Sequence, residues 1–163
     1  MKFSIIAVII GLTFIVSCHE ITQYSEIPAI TYKSHIARDS FDILGNSTKF
    51  VELTFSIIDG DGDFGLADDD TLPPFDTIYN FNFFPTLFAK NDTGFLEVSI
   101  AYPNFRIPFV QVENHKAYKA DIIIEMEYIT SFLETDTIKY DFYVVDKALN
   151  ESNVVTTPEI IFE

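Results

Sequence analysis

The stretch Phe50-Val-Glu-Leu-Thr-Phe-Ser-Ile-Ile58 decides the fold of this chain. Apolar and polar side chains alternate along it, and a period of two is typical of a β-strand with one face on the core and the other in water. The same alternation recurs over residues 121–128 and 138–145. In the first stretch, the side chains predicted to face the core are Val51, Leu53, Phe55 and Ile57.

Less regular alternating runs cover much of the remaining chain, and residues that favour turns separate them. No window has a convincing helical period of 3.6. About 7–8 short antiparallel strands predict an all-β sandwich or barrel, and the polar face of each strand favours two packed sheets over a parallel α/β sheet. The weaker runs are residues 29–38, 77–89, 95–102, 105–112 and 153–162.

The composition limits the class of protein. A chain of 163 residues has room for one ordinary domain, and its hydrophobic content of 48% argues against intrinsic disorder. The 25 acidic and 10 basic residues give a formal net charge of −15, which argues against DNA or RNA as a partner because phosphate binding depends on clustered Lys and Arg. A single cysteine excludes an internal disulfide and an all-cysteine metal site.

The N-terminus has the features of an export signal. Met1-Lys2 forms a short positive region, and the uncharged run that follows ends at Val16. That run is shorter than the roughly 20 residues that a transmembrane helix needs. The alternative is a signal anchor or a buried helix, in which Cys18 is an unmodified core thiol.

The run ends in Ile15-Val16-Ser17-Cys18, which resembles the lipobox of bacterial lipoproteins. In that family the cysteine becomes the first residue after cleavage and is acylated, so the resemblance implies lipidation at Cys18. His19, not an acidic residue, follows the cysteine, and the resemblance therefore implies an anchor in the outer membrane of the cell envelope. The predicted division of the chain is a signal peptide at 1–17, the lipidated cysteine with a tether at 18–27, and a single domain at 28–163.

The C-terminal third contains Tyr140-Asp-Phe-Tyr-Val-Val-Asp-Lys-Ala-Leu-Asn-Glu-Ser152. This stretch resembles the last hairpin of fibronectin type III and related immunoglobulin-like modules, with Leu149 where their turn has Gly. The order of features over most of residues 18–162 is similar to that of a group of uncharacterised bacterial lipoproteins, which combine a lipobox, an Asp-Gly-Asp-Gly-Asp loop and this hairpin. The resemblance implies an immunoglobulin-like or fibronectin type III-like sandwich, and it implies no settled activity.

The candidate site is the acidic loop Asp59-Gly-Asp-Gly-Asp-Phe-Gly-Leu-Ala-Asp-Asp-Asp70, which contains no basic residue. Carboxylates this close repel one another unless a cation neutralises them, and Ca²⁺ favours oxygen ligands. The spacing partly matches an EF-hand loop, although Phe64 stands at the position of its Gly and no helices flank the loop. The alternative is a solvated turn, since Gly and Asp both favour turns. The predicted calcium ligands are Asp59, Asp61, Asp63 and Asp70.

Aromatic residues are concentrated just after this loop. Tyr79, Phe81 and Phe83 are predicted to share one face of a strand and to lie in the core. Phe84 and Phe88 break that alternation, and exposed aromatic side chains at a strand end are candidates for binding a sugar ring or a protein partner.

Motifs for nucleophilic, zinc-dependent, P-loop and dinucleotide-dependent chemistry are absent from the sequence. We therefore expect a non-enzymatic binding or assembly module, anchored in the bacterial envelope, whose partner is a protein or a glycan. The alternative is a carboxylate-based or metal-dependent hydrolase that acts on glycans or peptides, because pairs of acids in space are not visible in a sequence. A purely structural lipoprotein is the third possibility.

Overall fold

The structure is a computed structural model that describes residues 23–99, 104–111 and 117–162. The signal peptide predicted at residues 1–17 and the lipidation predicted at Cys18 lie outside the described residues. The predicted single domain at residues 28–163 falls within them, apart from the two internal gaps and the last residue.

Two antiparallel sheets contain the eight strands of the described residues. The first sheet has the order β1-β2-β5, and the second has the order β4-β3-β6-β7 with β8 also paired to β6. The strands are β1 (Ala29–Phe41), β2 (Ser47–Asp59), β3 (Phe83–Asn91), β4 (Gly94–Val98), β5 (Tyr118–Ile129), β6 (Thr137–Val144), β7 (Val155–Thr156) and β8 (Ile160–Ile161). Two short 3-10 turns lie at Ile78–Asn80 and Thr130–Phe132.

The chain crosses between the sheets three times, after β2, after β4 and after β5. The second and last crossings place β5 beside β2 and β6 beside β3, which gives the Greek-key connections of an antiparallel sandwich. The prediction of an all-β antiparallel sandwich is confirmed. The alternation of apolar and polar residues is the correct signal for this fold, because one face of β2 is buried along almost its whole length.

Aromatic rings from both sheets form the centre of the core. Phe55 of the first sheet stacks on Phe83 of the second at 5.5 Å between ring centroids, and Phe142 lies 5.3 Å from Phe55. Each ring removes a large apolar area from water and gains about 0.5–1.5 kcal/mol from its favourable aromatic geometry. These contacts hold the sheets together and fix the end of β2, where the acidic loop begins.

The sequence prediction of a strand at residues 105–112 is wrong. Its described part, residues 105–111, forms isolated bridges from Phe105 to Phe83 and from Pro108 to Leu66, and no ladder. The physical reason is a side chain: Asn82 accepts a hydrogen bond from the Ile107 N–H at 2.6 Å and donates one to the Ile107 carbonyl at 2.9 Å. The Ile107 N–H is therefore not available to a neighbouring strand.

The predicted run at 77–89 becomes a strand only at Phe83, so Tyr79 and Phe81 do not share a strand face with it. The run at 153–162 divides into β7 and β8, with Pro158 between them. Proline has no backbone N–H for a sheet ladder, which explains the interruption.

Candidate metal centre

Three of the predicted ligands meet at the end of β2. Asp59 is the last residue of that strand and is 0% exposed, Asp63 is half-buried, and Asp61 is exposed. One carboxylate oxygen from each of the three lies within 4.8 Å of the others. The arrangement could hold a metal ion.

Asp59 is only partly satisfied by the protein. Its Oδ2 accepts a hydrogen bond from the Phe64 N–H at 3.0 Å. Its Oδ1, like Oδ1 of Asp63, is buried and has no hydrogen-bond partner. A buried carboxylate oxygen without a partner loses its hydration and gains nothing in return, at a cost of about 1–3 kcal/mol or more.

The electrostatics of the three residues agree with this geometry. Burial raises the pKa of Asp59 to about 7, and repulsion from Asp61 and Asp63 adds to the effect. Burial, followed by repulsion from Asp146, raises the pKa of Asp63 to about 6. No ion pair among the described residues reaches any of the three carboxylates. A divalent cation would reduce the repulsion among the carboxylates, and it would bind the buried oxygens that have no hydrogen-bond partner.

Apolar side chains explain why the loop is buried. Phe64 is fully buried and packs on Tyr118 with 5.8 Å between ring centroids. Leu66 donates its N–H to the Ile107 carbonyl and accepts from the Phe109 N–H, each at 3.0 Å. The hydrophobic effect thus buries Phe64 and Leu66. Asp63 is partly buried with them, because it is the neighbour of Phe64 in the chain.

The N-terminal segment closes the other side of the loop. The Gly60 N–H donates to the Ser25 carbonyl at 2.7 Å. A Cβ at position 60 would collide with backbone atoms of Tyr24 and Ser25, so the close approach requires glycine. Lys119 adds to this contact, with its ammonium 3.7 Å from the centre of the Tyr24 ring. The last part of the predicted tether at 18–27 therefore packs on the acidic loop.

The structure does not bring Asp70 to the other three carboxylates. Its Oδ2 accepts from the Ala67 N–H at 2.8 Å and lies 2.8 Å from Nζ of Lys147. The hydrogen bond from Lys147 is the main reason why the pKa of Asp70 is lowered. Asp70 closes the turn at the end of the loop and pairs with a lysine, a role that the EF-hand spacing does not predict.

Sequence reasoning missed Asp146, a buried acidic residue whose charge acts on Asp63. Asp146 follows β6 and is 1% exposed, and burial raises its pKa. The backbone of Ala148 opposes this effect, because it lowers the pKa of both Asp63 and Asp146. The sequence contains no direct signal of this proximity, because the two residues are 83 positions apart and meet through the sheet topology.

The two aromatic candidates lie on the outer face of the second sheet. Phe84 is only 8% exposed, because its ring stacks on Tyr143 at 5.1 Å with 15° between the planes. Phe88 is half-buried, with Nζ of Lys139 at 5.3 Å from its ring centre. A groove of about 260 Å³ beside the Phe84 stack includes Glu97 in its lining. Phe84 contributes one edge of that groove and is not a freely exposed platform.

Comparisons with known proteins add no relative to this picture. No family model, no curated protein and no solved structure matches the chain. In the part of the chain that the structure describes, no helix has the length and apolar character needed to cross a membrane. Inference about function therefore starts from the acidic cluster and from the sequence motifs.

Proposed function

We propose that this protein is a lipid-anchored protein of the Gram-negative cell envelope, whose sandwich domain is a non-enzymatic binding or assembly module stabilised by Ca²⁺. The calcium site consists of Asp59, Asp61 and Asp63. The observation that carries it is Oδ1 of Asp59, which is buried, has no hydrogen-bond partner and belongs to the carboxylate cluster. The anchor is Cys18, on the strength of the lipobox sequence.

The donor set favours calcium over other common cations. The cluster offers carboxylate oxygens only, whereas zinc sites in proteins are built mainly from Cys and His. Mg²⁺ requires a near-ideal octahedron and gives up its water reluctantly, while Ca²⁺ accepts six to eight oxygens in irregular geometry. A loop of mixed burial, with water on the Asp61 side, suits the more tolerant ion.

Calcium titration of the full-length chain in detergent tests the metal site. We expect one site per chain, and a melting temperature that rises with Ca²⁺ and falls with EDTA because the ion binds only the folded state. Asp61→Asn should weaken binding, since it removes one exposed ligand without disturbing the core. Asp76→Asn is the matched control, because Asp76 is also an exposed loop carboxylate but lies outside the cluster. Absence of binding heat and of any thermal shift in the wild type would contradict the metal site.

Membrane attachment is tested separately through Cys18. Metabolic labelling with a fatty acid should mark the wild type and not Cys18→Ser, and the variant should leave the membrane fraction. Lipid chains supply this affinity because each buried CH₂ contributes about 0.8 kcal/mol. A Cys18→Ser protein that stays in the membrane fraction without label would show that another segment anchors the chain.

The non-enzymatic character has its own test. We expect no turnover when the protein is incubated with panels of glycans and peptides from the envelope. Turnover that Asp61→Asn abolishes would overturn this part of the proposal and favour a hydrolase at the acidic cluster.

A further inference from the structure

The chain contains the same five-residue turn twice. The opening turn, Asp42-Ile-Leu-Gly-Asn46, joins β1 to β2, and the closing turn, Asp146-Lys-Ala-Leu-Asn150, follows β6. In each turn Oδ1 of the aspartate accepts from the backbone N–H of the asparagine, at 2.8 and 2.7 Å. In each, Oδ2 accepts from Nδ2 of the same asparagine, at 2.7 and 2.9 Å.

The fourth residue is left-handed in both turns, at φ 83° for Gly45 and φ 66° for Leu149. Leucine adopts this conformation only at a cost, because its Cβ approaches the backbone. The closing turn nevertheless keeps the geometry that glycine supports in the opening turn. Its shape is therefore fixed by contacts beyond the turn itself.

The surroundings of the two aspartates differ. Asp42 faces solvent, and its hydrogen bonds with Asn46 lower its pKa. Asp146 makes the same kind of contact with its asparagine but is buried. Repulsion from Asp61 contributes to raising the pKa of Asp146, and repulsion from Asp146 contributes to raising the pKa of Asp63. A turn by itself does not need a buried aspartate against two other carboxylates. Protonation or a bound cation can balance this concentration of negative charge.

We propose that Asp146 completes the cation site as a positioning residue: it adds a fourth negative charge beside Asp63, and its bonds to Asn150 hold the closing turn that Lys147 ties to Asp70 of the acidic loop. This inference rests on the proposed calcium site, and the unpartnered Oδ1 of Asp59 is the observation that points to a ligand there. Both oxygens of Asp146 are engaged by Asn150, so the residue acts on the ion through charge and through Asp63. The cation then joins the end of β2 in the first sheet to the connection that follows β6 in the second.

The two turns supply a matched pair of variants. Asp146→Asn and Asp42→Asn each remove one charge, keep an oxygen for the asparagine N–H and disturb one hydrogen bond to the asparagine Nδ2. Ca²⁺ is titrated into the full-length wild type and both variants in detergent. We expect Asp146→Asn to weaken Ca²⁺ binding by about 10- to 100-fold, as is usual when a group behind a metal ligand is changed. Asp42→Asn should bind as the wild type does.

A second measurement separates positioning from a merely structural role. In EDTA, Asp146→Asn should melt no lower than the wild type, because it removes repulsion between buried carboxylates. Asp42→Asn should melt lower, because its charge is stabilised by the turn. A structural role alone predicts that both variants melt lower and that neither changes Ca²⁺ affinity.

Each outcome decides the inference. If the wild type binds Ca²⁺ and Asp146→Asn binds equally well, the role of Asp146 is overturned while the calcium site stands. If the wild type does not bind, both fail. Should Asp146→Asn not fold, Lys147→Gln replaces it, because Lys147 carries the positive charge of the closing turn and pairs with Asp70 outside the cluster. Tighter binding by Lys147→Gln supports the electrostatic role of the turn, and unchanged affinity overturns it.

Discussion

Strand β2 buries an ionisable side chain near each end, and the two buried charges differ in whether the chain supplies a counter-ion. Lys49, near the start, is 3% exposed and lies 3.3 Å from Asp39 and 3.1 Å from Asp136. Its ammonium also lies 4.5 Å from the centre of the Phe162 ring. Asp59, at the other end, is equally buried, but no ion pair among the described residues reaches it.

The difference teaches what the acidic end lacks. A buried charge is stable only when it is paired and hydrogen-bonded, and otherwise it neutralises or destabilises the fold. The lysine end contains its own counter-ions within the chain. The aspartate end contains carboxylates only, so protonation or the proposed cation has to neutralise it. This contrast is the strongest argument for a cation at Asp59.

The largest loss of stability is expected when the counter-ions of Lys49 are removed, so that the lysine end resembles the aspartate end. The double variant Asp39→Asn/Asp136→Asn leaves Lys49 buried without a counter-ion. It should lower the free energy of unfolding by about 3 kcal/mol, because solvent already screens carboxylates that are 61% and 81% exposed. Urea denaturation measures this. Lys49→Met is the matched control, because a buried pair replaced by an apolar side chain usually costs little. Equal losses in the two variants would show that an unpaired buried ammonium costs no more than the loss of the ion pairs.

A third buried group sharpens the comparison, because it avoids charge altogether. The hydroxyl of Tyr140 donates to that of Tyr128 at 2.9 Å. Burial raises the pKa of Tyr128 to about 12, and burial also raises the pKa of Tyr140. The folded protein thus favours the neutral phenols more than the unfolded chain does, whose tyrosines titrate near pH 10.

Stability from this pair is therefore present below about pH 10 and is lost as the pH rises toward 12. For Tyr128 alone the loss is about 2–3 kcal/mol, by the usual conversion from pKa to free energy. Urea denaturation at a series of alkaline pH values should show a steep decline for the wild type. Tyr128→Phe/Tyr140→Phe should decline less steeply, and parallel curves would contradict this role for the pair.

At the aspartate end, the effect of a substitution on stability is expected to change sign when Ca²⁺ is added. In EDTA, Asp59→Asn should stabilise the domain, because the amide removes a buried charge and its oxygen can still accept from the Phe64 N–H. With Ca²⁺ at ten times its dissociation constant, the wild type should gain about 1.4 kcal/mol and the variant much less. Thermal melts of both proteins with and without Ca²⁺ measure the reversal. Asp59→Asn less stable than the wild type in both conditions would identify Asp59 as a purely structural group.

The sequence predicts the parts of the molecule that depend on local order. The alternation in β2 predicts which side chains enter the core, and the Asp-x-Asp-x-Asp spacing predicts that Asp59, Asp61 and Asp63 come together. The remaining features depend on tertiary contacts. Asp70 turns to Lys147, and Asp146 approaches Asp63, because the Greek-key path brings the closing turn beside the acidic loop. No local pattern encodes either contact.

The smallest change in stability is expected at Gly60. A substitution there tests whether the N-terminal segment is needed to bury the carboxylate cluster. In Gly60→Ala, the new Cβ collides with the backbone of Tyr24 and Ser25. That segment lies at the N-terminal end of the described chain, before β1, and its backbone has to shift outward at a cost of about 1 kcal/mol, which is ordinary for a single substitution. The amide of residue 60 should then lose its bond to the Ser25 carbonyl and exchange faster with solvent. Hydrogen exchange measures this directly.

If the Tyr24–Ser25 contact is what keeps water from Asp59, Gly60→Ala should also make the aspartate end behave like an exposed acid. Its carboxylate would regain hydration, so EDTA would destabilise the variant less than it destabilises the wild type. Gly45→Ala is the control, since Gly45 also lies in a turn but has open space around it. A Gly60→Ala protein with the full response to EDTA would show that Phe64 and its neighbours bury Asp59 without help from the N-terminal segment.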